Sequence, residues 1–166
     1  MTKKEDECNT IEQLKEEYKP LAKRYNLPDF TSLNEIFDIE DMTLDTEFFL
    51  RKIRRTIMEK ISGYLRFVDV ILNPASTPVF FYKKIKKLES SDKEILSQMY
   101  ETFGDIETEN LLLDLEYSEE REAQFIKKIF ESFDEQIKKE LIKIIHRLMN
   151  GRVAAEIKNN KVSYFG

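Results

Sequence analysis

Apolar residues along this chain return at alternating steps of three and four, the spacing that lines one face of an α-helix. Ile11, Leu14, Tyr18, Leu21 and Tyr25 form the first such row, behind a capping box of Thr10 with Gln13. The row predicts a helix over 10–25. Pro20 lies inside it, lacks the N–H that would bond the carbonyl of Glu16, and should kink or divide it. Asn26-Leu27-Pro28 stops it, and Ser32 with Glu35 offers a second capping box for a short helix carrying Leu33, Ile36 and Phe37. After a connector over 38–43, Leu50, Ile53, Ile57, Ile61, Tyr64, Leu65, Val68 and Leu72 hold one face from about Leu44 to Leu72. Asn73-Pro74 ends that helix, because a residue before proline is pushed out of the helical region.

Thr77 as cap with Pro78 at the first position predicts a new helix to Leu88. Ser91 with Glu94 marks the next start, and Ile95, Met99, Phe103 and Ile106 carry that helix to about Tyr117, with Gly104 weakening its middle. Ser118 caps a last long row of Ala123, Ile126, Ile129, Phe130, Phe133, Ile137, Leu141, Ile144 and Leu148, closed by Asn150-Gly151. Short connections set long neighbours antiparallel, so the expected fold is all-α, an up-and-down bundle of three long helices braced by shorter N-terminal helices. Residues 10–151 form the single domain of this reading. Residues 1–9 are expected to be a disordered tail, too polar to fold, and 152–166 a C-terminal tail, a short helix or extended, with a hairpin about Asn159-Asn160 as the other form.

Composition narrows the chemistry. With 166 residues, 41% of them hydrophobic, the chain can bury one core and has no room for two enzyme domains. One His and one Cys exclude a protein-only Cys/His zinc site and any intramolecular disulfide. The lone histidine also rules out the paired Glu-x-x-His motifs of di-iron bundles: His146 follows Lys143, not Glu, by three and falls on the polar side of its helix. Gly63, Gly104, Gly151 and Gly166 are too scattered for a phosphate cradle or a nucleophile elbow. Cys8 reads as an incidental thiol. No cofactor is expected. No stretch approaches the roughly 20 apolar residues of a membrane span, so no membrane partner is expected and the location is read as cytoplasmic.

Charge is segregated. The formal net charge is -5, yet 51–55 read Arg-Lys-Ile-Arg-Arg and 83–87 read Lys-Lys-Ile-Lys-Lys, while 101–122 carry nine acids against the single Arg121. Such blocks invite internal pairing. They also make Arg51, Lys52, Arg55, Lys83, Lys84 and Lys87 candidate contacts for nucleic acid or another anion, although no exposed aromatic platform is expected beside them. Backbone amides at the turn before Lys83 and Lys84 offer an anion the same sign of field, with an ordinary capped turn as the simpler reading. Asp105, Glu109 and Glu116 share one side of their helix, where acids at this density read as a solvated face.

Two positions break the apolar rows. Arg54 falls inside the stripe of its helix, and Asn110 interrupts the face of Ile106, Leu113 and Tyr117; together they mark a buried polar contact or a ligand site between helices. In the other direction, Leu111 and Leu115 diverge from the core face that Leu113 continues, so either the first helix or the C-terminal tail covers them or they dock a partner.

Leu27-Pro28-Asp29-Phe30, the run Leu33-Asn34-Glu35-Ile36-Phe37-Asp38-Ile39-Glu40, the opening Phe49-Leu50-Arg51-Lys52-Ile53-Arg54-Arg55 and Glu122-Ala123-Gln124-Phe125-Ile126 resemble small, uncharacterised archaeal all-helical proteins. The resemblance implies a helical fold and brings no activity, cofactor or site residue. The leading expectation is a non-enzymatic helical interaction module whose partner is another protein or a second copy. A weak nucleic-acid or anion binder using 51–55 and 83–87 is the alternative, and a small-ligand or enzymatic pocket near Arg54 and Asn110 the third.

Overall fold

A computed structural model describes residues 2–42, 47–73, 75 and 77–150, with side chains from Ile11 to Met149. The tail over 152–166, the Asn150-Gly151 closure, the Cys8 side chain and Leu44 itself lie outside what is described. Among the described residues the chain is all-helical, with no strand.

The first helix, α1, runs Thr2–Tyr25, so its backbone takes in most of the segment expected as a disordered tail. The start at Thr10 is thereby corrected: Lys and Glu, the main residues of 3–7, are good helix formers and let the helix begin upstream. Pro20 lies within α1 without ending it. Helix α2, Phe30–Phe37, is capped by Asp29 rather than by Ser32; the Asp29 carboxylate accepts the Ser32 N–H at 3.0 Å and the Ser32 hydroxyl at 2.6 Å. Those bonds hold the Asp29 carboxyl below its usual range. Tyr18 ties the two helices together by donating its hydroxyl to the Pro28 carbonyl at 2.7 Å.

A short 3-10 turn, Ile39–Asp41, leads toward α3, Phe49–Leu72. Three non-glycine residues have positive φ, Asn26, Asp38 and Phe48. Asn and Asp tolerate that region, but Phe48 at φ 56° is strained by its bulk. Its ring makes an edge-on contact with Tyr117 at 4.8 Å. Asn73 ends α3, and the Thr77 hydroxyl closes it by donating to the carbonyls of Val70 and Asn73. Thr77 therefore serves the helix behind it, and the residue before α4, Val79–Ile85, is Pro78. The first amides of α4 have no side-chain cap.

Helix α5 runs Ser90–Leu115 behind a capping box made by Glu89 and Asp92, two residues ahead of the Ser91–Glu94 box expected, because the two carboxylates satisfy each other's backbone N–H groups. Ser118 caps α6, Glu119–Ser132, by accepting the Arg121 N–H. The last long row is not one α-helix: a π turn, Phe133–Ile137, separates α6 from α7, Lys138–Asn150. At the turn the Phe133 ring meets Phe37 at 5.5 Å and Tyr64 at 5.2 Å.

Helix α3 is the hub. It packs on α5 and α6, and α2 and the 3-10 turn lie against it; α1 rests on α2 and α6, and α4 on α7. Ile53, Ile57, Ile61 and Val68 of α3 are fully buried with Leu33, Phe37, Leu96, Phe103 and Ile126. Each such side chain contributes about 1.5–3 kcal/mol by leaving water.

Asp92, nearly buried, also takes an ion pair from Arg147 of α7, which closes the far end of the bundle. That hydrogen bond holds the Asp92 carboxyl below its usual range. A carboxyl depressed in the folded chain stabilises it above the unfolded value near about 4 and loses that contribution as pH falls through the folded value. Thermal melts taken from pH 7 downward should show Tm dropping in this acid window, with a shallower drop in Asp92→Asn; parallel curves would deny Asp92 the role.

Candidate buried polar network and exposed apolar face

Arg54 projects from the inner face of α3 and is completely buried, as is Glu122 on α6. Its Nε donates to Glu122 Oε2 at 2.5 Å, Nη2 to Asp114 Oδ1 at 2.7 Å, and Nη1 to the side-chain oxygen of Asn110 and, at 3.3 Å, to the Asn110 carbonyl. One guanidinium thus ties α3 to α5 and α6. Arg51, one turn earlier, donates Nε to the other Glu122 oxygen at 3.5 Å and Nη2 to the Leu113 carbonyl at 3.4 Å. Its guanidinium lies between two rings, 4.5 Å from the centre of Tyr117 and 5.5 Å from Phe48. Arg55 adds a 3.2 Å bond to Asp114. The Asp114 carboxyl is held below its usual range, first by Arg54 and then by Arg55.

Chemically this is a closed lock. Every edge of the Arg54 fork has an acceptor, both Glu122 oxygens are taken, and among the described residues no buried side-chain nitrogen or oxygen lacks a partner. A ligand would have to displace bonds already made. A hollow of about 380 Å³ does lie beside Asn110 and Asp114, walled by Arg55, Ser62, Arg66 and Glu107, but Arg54 does not line it. A groove of about 460 Å³ runs beside the π turn, between Met99 and Thr102 of α5 and Gln136 and Ile137. No group of three or more His, Cys, Asp or Glu among the described residues is arranged to hold a metal, and His146 is exposed.

The basic clusters separate. Arg51 is committed to Glu122 of α6, Arg55 makes one bond to Asp114 of α5 with its side chain mostly exposed, and Lys52 sits half-buried beside a shallow hollow with Asp41 and Glu59. Lys83, Lys84 and Lys87 lie on α4 and the turn after it, on the outside of the bundle. The aromatic platform not expected beside them is present: Phe80 is 73% exposed and Tyr82 40%, because Phe81 and Ile85 take the inward positions of α4. Of the acids singled out on this face, Glu109 pairs with Lys128 and Glu116, just past α5, with Arg121, while Asp105 is exposed.

Leu111 and Leu115 are 61% and 84% exposed, and Leu112 beside them 44%. Helix α1 packs elsewhere, on α2 and α6. A second exposed row, Ile142, Ile145 and Met149, follows α7.

Sequence reasoning missed Glu122, although its signal was there: it stands four residues before Ile126 and seven before Ile129, on the buried face of α6, where an acid demands a buried cation. It also missed Val79 and Phe80, whose exposure follows from α4 being too short to bury more than one face. No helix among the described residues is long and apolar enough to cross a membrane. Comparison with protein-family models, curated proteins and solved structures finds no match to this chain.

Proposed function

We propose that the chain is a non-enzymatic helical interaction module, built as an up-and-down bundle of three long helical runs, α3, α5 and α6–α7, that docks a protein surface through the end of α5. The observation that carries this reading is the exposure of Leu111 and Leu115 on the face opposite the core residues Ile106 and Leu113, with Leu112 on its flank. Side chains this apolar on a helix that already buries its other face gain most by covering each other or a partner. The acids around them do not oppose a second copy: Glu107 accepts from Ser62, and Glu109, Asp114 and Glu116 have cationic partners in the same chain. A second copy is therefore the occupant tested first. The internal commitment of Arg51 weighs against the 51–55 half of the nucleic-acid reading, which needs cations free to meet phosphate.

Sedimentation equilibrium of the parent chain and of Leu111→Glu with Leu115→Glu tests the proposal. Both positions are exposed, so the melt should move little, on the order of 0.5 kcal/mol or less per site. The parent is expected to sediment as a dimer and the variant as a folded monomer. A monomeric parent would reject self-association, and unchanged partners in pull-downs with both chains would reject the surface altogether.

A further inference from the structure

Helix α4 is held to the body by Phe81, whose ring meets Phe67 of α3 at 6.3 Å, and by Ile85, which is 5% exposed. At about 100° per residue the opposite side carries Val79 and Phe80 in the first turn and Lys83, Lys86 and Lys87 in the next. Val79 is 82% exposed and Phe80 73%, which places them among the least covered apolar side chains of the molecule. No Asp or Glu occurs from Val70 to Leu88, in a chain whose net charge is -5. Lys84 and Lys86 lie over the Phe81 and Tyr82 rings at 5.9 Å and 4.7 Å, so their ammonium groups are carried on aromatic surface rather than on carboxylates.

We propose that this face is a docking site for an anionic lipid surface. With α4 lying along such a surface, Val79 and Phe80 of its outer side enter the headgroup and acyl boundary while Lys83 and Lys86 of the same side reach the phosphates. The positive face on an otherwise acidic chain orients the molecule toward such a surface. Single-stranded nucleic acid offers the same phosphate charge but fits less well. Val79 has no ring to stack on a base, and one face of Tyr82 is already taken by Lys86.

The test uses the full chain and vesicles of phosphatidylcholine alone or in equal mixture with phosphatidylserine. Co-sedimentation is expected with the mixed vesicles at low salt and not with phosphatidylcholine alone. Val79→Ser with Phe80→Ser should weaken it by ~10-fold or more, since two apolar side chains lose their burial. Lys83→Gln with Lys86→Gln should weaken it by about 30-fold, from about 1 kcal/mol per lysine. All four positions are exposed, and a melt on each variant checks that the fold is intact. The chain has no Trp, so Phe80→Trp is a single reporter of depth. Its emission should shift to the blue on mixed vesicles and be quenched by brominated acyl chains. Absence of binding to mixed vesicles, equal binding to neutral ones, or an unshifted emission spectrum overturns the proposal. So does binding to a polyuridine oligonucleotide in place of vesicles that Phe80→Ser abolishes.

Discussion

Arg54→Ala is expected to destabilise the chain by about 3–5 kcal/mol, a large part of the stability of a domain this size. The cost comes less from the contacts Arg54 makes than from what it leaves behind. Glu122 has no exposed surface, and without Arg54 its Oε2 would face the core with only Arg51 at 3.5 Å on the other oxygen. Asn110 would lose its donor, whereas Asp114, partly exposed, can turn to water or to Arg55. Glu122→Ala should be as damaging, for it strands the cation instead. The pair Arg54→Met with Glu122→Leu should recover most of the loss, since replacing both members of a buried ion pair with apolar groups of like volume is often neutral. Urea melts on the three variants decide the matter. Equal midpoints for Arg54→Ala and the parent would mean that the guanidinium is solvated in solution, and a double variant no better than the singles would mean that packing, not charge, dominates.

The rows of apolar residues made α3 legible to its C-terminal end, because a face that repeats over many turns leaves few alternatives, whereas its start, expected at about Leu44, comes at Phe49, after the left-handed Phe48. Arg54 and Asn110 were legible as interruptions of such rows. Their joining was not, since it depends on how α5 and α6 rotate against α3, and rotation is a property of packing. Caps were misplaced at Ser32 and Ser91 because a serine with an acid three residues on satisfies the same pattern as the Asp29 and Glu89 caps observed, and only the chain's path selects between them. The basic clusters looked alike in sequence. In the structure one faces the acids of α5 and α6, and the other stands on a seven-residue helix with room on its outer side. Leu111 and Leu115 were legible as a surplus of hydrocarbon on α5, and the placement of α1 against α6 shows what does not cover them.

The π turn shows a further limit and supports a second large effect. Ile129, Phe133, Ile137 and Leu141 follow one another by four residues three times running, so on a plain α-helix their row would drift steadily around the axis. The wider π turn over Phe133–Ile137 takes up the drift, and Ile129, Phe133, Ile137 and Leu141 are all buried. Phe133 stands at the start of that turn, 3% exposed, with its ring against Phe37 of α2 and Tyr64 of α3. Phe133→Ala should cost about 3–5 kcal/mol, the range for an aromatic side chain deleted from a core that cannot close around the gap. Collapse is restricted here because α2, α3 and the turn meet at the ring from three directions. Phe133→Leu keeps most of the volume and should cost less than half as much, while losing both ring contacts. Hydrogen exchange should show the loss spreading to the amides of α2, which buries Leu33 and Phe37 against the same cluster. A Phe133→Ala melt within about 1 kcal/mol of the parent would mean that the turn relaxes to an ordinary α-helix and refills the space, and α7 would then have rotated, exposing Leu141 and Ile144 to exchange.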